Sequence, residues 1–292
     1  MSRKEARKAR RERRRELRRG ALRQKMRTEP GAFWTYVVLR TIVILILIRS
    51  VMRADFESAI VCAFVLFIYV LPQFVEDRLD IEIPSVLEIV IFVFVFAAEI
   101  LGELDSYFIR YQHWDTMLHT TSGFLFAAVG FSLVNLLNRS ENVKVQLSPA
   151  YLALTAFCFS MTIGVLWEFF EFAADRWLLL DMQKDTILTR ISTVELDATR
   201  SNIPIVIDGI KDTILVLENG EQYPLGLGGY LDIGIYDTMG DFFVNFIGAV
   251  VFSVIAFFEE RSEKRPLTTS LALKRRKKAA ANGRWYLRCA QR

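Results

Sequence analysis

Six apolar blocks, each close to twenty residues long, constrain this chain more than any other feature. About 20 consecutive apolar residues are what an α-helix needs to cross the hydrocarbon core of a bilayer. The blocks fall at 33–52, 56–75, 85–104, 114–137, 150–173 and 233–258. Hydrophobic residues make up 52% of the chain, with 23 phenylalanines, which is too apolar for an ordinary soluble domain. The expected architecture is an all-α integral membrane protein, a six-helix transmembrane bundle, and not a pair of soluble domains.

Charge orients the bundle. Residues 1–30 carry 14 Lys/Arg against 4 Asp/Glu, and residues 259–292 carry 11 against 3. Of the totals of 37 basic and 33 acidic residues, that leaves 12 and 26 between the tails. Basic segments resist translocation, so both tails are expected in the cytoplasm and the number of spans should be even, as six is. The division is a basic N-terminal arm (1–30), a membrane domain (31–258) and a basic C-terminal tail (259–292), in the plasma (inner) membrane. The tails suit anionic lipid headgroups. Nucleic acid is not an expected partner, because no aromatic residue is interleaved with the basic ones before Phe33 to stack on bases. The first block is not expected to be a cleaved signal, since Arg40 interrupts it and no small-residue cleavage site follows. Cys62, Cys158 and Cys289 form no CxxC pair and suggest neither disulfide framework nor zinc ribbon.

Between the fifth and sixth blocks the character changes. Residues 203–207 and 213–217 are β-branched runs, and Asp208-Gly209 and Asn219-Gly220 are hairpin signals. A small β-rich extracytoplasmic insert is expected over 184–232, with Asn219-Gly220 closing a two-residue hairpin.

The polar residues inside the blocks form ladders. Asp115 and His119 are four apart, so a helix sets them on one face. Glu168, Glu171 and Asp175 form a second ladder, and Asp237 and Asp241 a third, with Asn245 a turn further on. Alternating the six spans brings all three, and Glu99 and Glu103, to the outer leaflet. Ionisable groups within a span cost at least ~2.5–3.5 kcal/mol at the bilayer centre, so they turn inward and find partners. Each ladder has a plainer reading. An interfacial histidine is common at a helix start, and Asp237 and Asp241 can be a cap with dipole-favoured acids. That second reading fails for the fifth span, whose acids sit at the unfavourable C-terminal end.

Convergent carboxylates either share protons or hold a cation. Acids and a histidine facing inward from several helices are how bundles build metal sites. The expected ligands are His119, Glu168, Glu171, Asp237 and Asp241, with Glu168 or Glu171 as a candidate base. Asp115, Asp175, Gln183 and Asn245 are expected around them, Asp115 and Asp175 nearer water. Oxygen-rich donors with one imidazole suit Mg²⁺, Mn²⁺ or Fe²⁺, and Zn²⁺ is compatible.

Several motifs occur together in order: Leu71-Pro72-Gln73-Phe74, Pro84, Leu101-Gly102-Glu103, Trp114-Asp115-x-x-x-His119-Thr-x-Ser122-Gly123, Gly164-x-x-Trp167-Glu168-x-x-Glu171-Phe172, Asp181-Met182-Gln183, and Tyr236-Asp237-Thr238-Met239-x-Asp241 followed by Asn245 and Gly248-Ala249. Over residues 33–258 the chain resembles the YjdF-like family of bacterial multi-pass membrane proteins. The resemblance implies a compact helical membrane domain and no established activity. The chain departs from that pattern between Gln183 and Tyr236, where the β-rich insert stands in place of a short connection.

Three function classes fit these residues. One is a metal-dependent enzyme acting on a lipid or lipid-linked headgroup. Another is an ion- or proton-coupled transporter, disfavoured by an apolar inner half and by the lack of an inverted repeat. The third is a non-catalytic accessory protein whose outer insert binds a protein partner.

Overall fold

The computed structural model describes residues 26–79, 81–138 and 147–275. Most of the N-terminal arm, most of the loop at 138–149 and the distal tail with Cys289 lie outside the described residues. Within them, six helices are long and apolar enough to cross a membrane: Pro30–Met52, Phe56–Leu79, Ser85–Leu104, Trp114–Asn138, Pro149–Leu178 and Ile235–Glu260. We call Pro30–Met52 α1. The second span is α2 (Phe56–Ile68) and α3 (Leu71–Leu79), and β1 is Ile81–Glu82. The third span is α4 (Ser85–Val95), continued without a break as a π-helix over Phe96–Leu104. The short α5 (Tyr107–Arg110) precedes α6 (Trp114–Asn138) and α7 (Pro149–Leu178).

Exposure around these helices follows from the solvent they occupy. Leu45, Phe67, Phe169, Phe172 and Phe243 are exposed, as side chains facing lipid should be. The buried residues form two cores. One gathers Val43, Cys62, Val65, Tyr69, Phe92 and Ile100 from α1, α2 and the third span. The other gathers Ala127, Phe131, Leu152, Ala156, Ala249 and Phe252 from α6, α7 and the last span, α8 (Ile235–Glu260). In that second half glycines set the spacing. A Cβ on Gly123 would meet the Asn245 carbonyl oxygen at 2.2 Å, and one on Gly248 the Thr120 carbonyl oxygen at 2.1 Å. Backbones this close leave room for only a hydrogen atom, the arrangement small residues permit in membrane helices. Ser160 adds a bond across the same seam, its hydroxyl donating to the Gly123 carbonyl at 2.7 Å.

Three boundaries differ from the sequence reading. The second span does not stop at Val75; it breaks at Tyr69–Val70 and resumes before Pro72, whose missing N–H costs nothing in a first turn. The fifth span does not end at Ala173 but runs on to Leu178, placing Glu168 and Glu171 two to three turns inside its end. The bundle does not end at Phe258. After α8, α9 (Pro266–Ser270) and β8 (Lys274–Arg275) fold back, and β8 pairs antiparallel with β1. The Glu259 carboxylate accepts from the Leu267 and Thr268 amides at 3.1 and 2.8 Å, and Leu271 and Leu273 join the second core. Apolar residues spaced through the proximal tail explain the fold-back, and its charge count concealed them.

The insert is built from three antiparallel ribbons. β2 (Ile187–Leu188) pairs with β7 (Tyr230–Leu231), β3 (Arg190–Thr193) with β4 (Ile205–Asp208), and β5 (Ile214–Val216) with β6 (Gln222–Pro224). Both hairpin signals act differently from expectation. Asp208-Gly209 closes no hairpin, because the two β-branched runs pair with other partners. The β5–β6 loop is three residues, with Leu217 N–H donating to the Glu221 carbonyl and Gly220 N–H back to the Leu217 carbonyl, both at 2.9 Å. Only Gly220 takes positive φ, at +82°, so this is a type I turn followed by a left-handed glycine. Gly220→Val should therefore strain the turn and loosen β5–β6 alone, by roughly 1–2 kcal/mol for a left-handed L-residue. Amide exchange at 214–224 should speed up while the helical amides stay protected; collapse of the whole protein would show that the hairpin supports the bundle.

Two aspartates hold loops of the insert. Asp197 accepts from the Thr199 hydroxyl at 2.6 Å and from the Thr199, Ser201 and Ile203 amides. These bonds, the hydroxyl's foremost, hold its carboxyl down at about 2. Asp232, just before α8, is opposed by burial, yet the Thr186, Gly234 and Tyr236 amides keep its carboxyl below the usual range.

Candidate metal centre

The centre lies where the insert-side ends of α6, α7 and α8 meet. α6 carries Asp115 in its first turn and His119 one turn on. The His119 Nε2 stands 3.6 Å from Asp115 Oδ1 and 3.6 Å from Asp241 Oδ2, so the ring lies between carboxylates of two helices. Depth grades across them: the Asp115 side chain is 31% exposed, that of His119 12% and that of Asp241 7%.

α7 contributes Glu168 and Glu171, both buried. Glu171 Oε1 accepts from the Trp167 indole N–H at 2.8 Å, whereas its Oε2 is buried with no hydrogen-bond partner. Glu168 Oε2 accepts from the Gln183 amide at 3.4 Å, and that amide also donates to the Thr238 hydroxyl at 2.5 Å. Among the described residues no Lys or Arg forms an ion pair with Glu168, Glu171, Asp237 or Asp241. Buried charge without a compensating partner is strongly disfavoured, so the arrangement calls for a cation or shared protons.

One donor atom each from His119, Glu168, Glu171 and Asp241 lie within 4.8 Å of one another. An ion bonded at about 2.0–2.3 Å holds its ligands roughly 3–4.6 Å apart, so the spread suits a single ion. Asp237 is not in that group. It falls in a second one, with Asp115 and Asp241, whose donor atoms also lie within 4.8 Å of one another. Asp237 is drawn toward the insert, where its Oδ2 accepts from the Lys184 amide at 2.7 Å. Asp115 stands in this second group too, and its side chain is nearer water than that of Asp241.

The remaining expected residues divide. Gln183 is beside the acids, through the bonds just given. Asp175 caps the turn beyond α7, accepting from the Met182 and Gln183 amides at 2.6 and 2.8 Å. Asn245 is buried deeper, its side chain amide 3.4 Å from Met161 Sδ and wedged against Gly164, so it packs the helices below the cluster.

A cavity of about 330 Å³ opens beside the acids, lined by Glu103, Asp115, Glu171, Lys184, Asp237 and Asp241 among others. Sequence reasoning missed Lys184 in its lining and the bond from Trp167 to Glu171. The i,i+4 spacing of Trp167 and Glu171 is the signal that pointed to their bond. Glu103 reaches the cavity from the π-helix, a distortion that often marks functional positions.

No curated protein and no solved structure matches the chain. A family model matches residues 35–262, well over half the chain and all six spans but the first turn of α1. It takes in every residue of the cluster, and it agrees with the resemblance carried by the ordered motifs. The chain belongs to the family described as predicted membrane protein (DUF2238).

Proposed function

We propose that the His119, Glu168, Glu171 and Asp241 cluster holds a divalent cation in the outer leaflet of the plasma membrane, and that the cation activates water against the headgroup of a lipid or lipid-linked molecule. The observation that carries this reading is Glu171: its Oε2 is buried with no hydrogen-bond partner among the described residues, and one of its carboxylate oxygens lies within 4.8 Å of donors from three other side chains. Burying such an oxygen unsatisfied costs about 1–3 kcal/mol, more for a charged group, and a cation removes that cost. A bound cation would lower the pKa of a water it carried, and the Glu168 oxygen left off the ion would take that water's proton. Both basic tails then lie in the cytoplasm, and the cavity faces outward. Transport is the weaker reading, because Ala127, Phe131, Ala249 and Phe252 pack an apolar floor below the cluster.

The test combines metal analysis of the detergent-purified chain with lipid profiling of cells producing it or Glu171→Gln. The expected result is bound metal in the wild type only, and a several-fold change in one headgroup class that the variant abolishes. Metal without any lipid change would overturn the enzymatic reading; absence of metal would overturn the cation.

A further inference from the structure

We infer that a groove between α7 and α8, at the end of the bundle away from the cluster, binds one anionic glycerophospholipid through Ser253 and Arg261. The groove has a volume of about 460 Å³ and is lined by Ala153, Leu154 and Phe157 of α7 and by Ser253, Val254 and Phe257 of α8, among others. Leu154 and Val254 are exposed, so its open side faces the hydrocarbon. Ser253 is twelve residues beyond Asp241 on α8, about 18 Å along the helix axis. On the topology proposed above the groove lies in the inner leaflet, the one that carries anionic lipid. Ser253 is what calls for a ligand. It is only 7% exposed, and its Oγ has no hydrogen-bond partner among the described residues. Hydroxyls in other spans turn back on their own helix: Thr41 donates to the Val37 carbonyl, Thr120 to that of Thr116 and Thr162 to that of Cys158. Ser253 does not, and every other side chain lining the groove is hydrocarbon. A buried hydroxyl in such surroundings needs an acceptor, and the groove's own walls supply none.

Arg261 supplies the charge. Its guanidinium stands 5.3 Å from the centre of the Phe257 ring, which itself lines the groove one turn, about 5.4 Å, beyond Ser253. Among the described residues Arg261 forms no ion pair, because the nearby acids are engaged elsewhere. Glu259 accepts from the Leu267 and Thr268 amides, and Glu260 pairs with Arg265. An exposed guanidinium with only a ring beneath it suits a phosphate. An acyl chain then fills the apolar trough, an ester carbonyl accepts from Ser253, and the phosphate meets Arg261. The glycerol backbone keeps carbonyl and phosphate a comparable short distance apart. Acceptor and anion together single out a phospholipid from a bare hydrocarbon chain.

The full-length chain, purified in mild detergent, would be titrated with phosphatidylglycerol or phosphatidylcholine of matched chains, and its lipid adducts counted by native mass spectrometry. The expected result is one retained phosphatidylglycerol per chain, held about fivefold more firmly than phosphatidylcholine. Arg261→Gln should erase that preference. The ether-linked analogue of phosphatidylglycerol, which lacks the ester carbonyl, should bind the wild type roughly three- to tenfold more weakly, and Ser253→Ala should remove the difference. Thermal melting at the wild-type temperature shows that both variants fold. A preference that survives Arg261→Gln would come from the basic tails and overturn the site. Equal binding of ester and ether lipids by the wild type would overturn it too. Recovery of a lipid-free dimer that Ser253→Ala dissociates would put a second copy in the groove and overturn the lipid.

Discussion

Gly248→Ala is expected to destabilise the protein by about 3 kcal/mol or more, at or beyond the upper end of ordinary overpacking. The added methyl would sit 2.1 Å from the Thr120 carbonyl oxygen and 2.9 Å from the Phe124 amide nitrogen. Both are backbone atoms of α6, so no rotamer change relieves the contact and the helices must separate. Separation also pulls Asp241, two turns earlier on α8, away from His119. Gly240, on the same helix, provides the control, because a Cβ there meets nothing within 4 Å. Gly240→Ala should be neutral or stabilise by up to about 1 kcal/mol, through helix propensity alone. The same substitution eight residues apart should thus have opposite signs. Thermal melting in detergent, followed by tryptophan fluorescence, measures both; equal melting of the two variants would mean that α6 and α8 are not in backbone contact.

Glu171→Leu should separate stability from function. In chelated protein the wild-type carboxylate is a buried group with one oxygen unsatisfied, so an apolar side chain of similar size should stabilise by about 1–3 kcal/mol. With metal the order reverses. A cation at a hundredfold excess over its dissociation constant adds about 2.7 kcal/mol to the wild type. The leucine variant, without that ligand, should gain far less. Melting curves with chelator and with Mn²⁺ therefore cross. If Glu171→Leu lowers stability even in chelator, the carboxylate's main task is its bond to Trp167, and the case for a cation loses its central observation.

Much of the centre was legible before any fold was known. His119, Glu168, Glu171 and Asp241 stand at helical spacing in blocks long enough to span a bilayer, and charge inside a span must turn inward. Alternating the spans then brings their ends together. Gly123, Gly164 and Gly248 could be read as small residues, but it was not legible that Gly123 and Gly248 would face the backbone of another helix and Gly164 the Asn245 side chain. The settings of Asp115 and Asp237 were not legible: the sequence reading put Asp237 among the ligands and Asp115 nearer water, yet both fall in one donor group. What separates them is the turn at 182–184, where Lys184 N–H binds Asp237 and Gln183 reaches Glu168.

Local physics determined the spans and their number, because hydrophobic length needs no partner to act. It also marked the insert as β-rich. Tertiary structure decided which strand pairs with which, that residues 266–275 return to the bundle, and that Glu171 keeps an oxygen without a donor. Those outcomes depend on contacts between residues far apart in the chain. Asn219-Gly220 carries a turn signal whichever way its loop closes, but a carboxylate is orphaned only by everything packed around it.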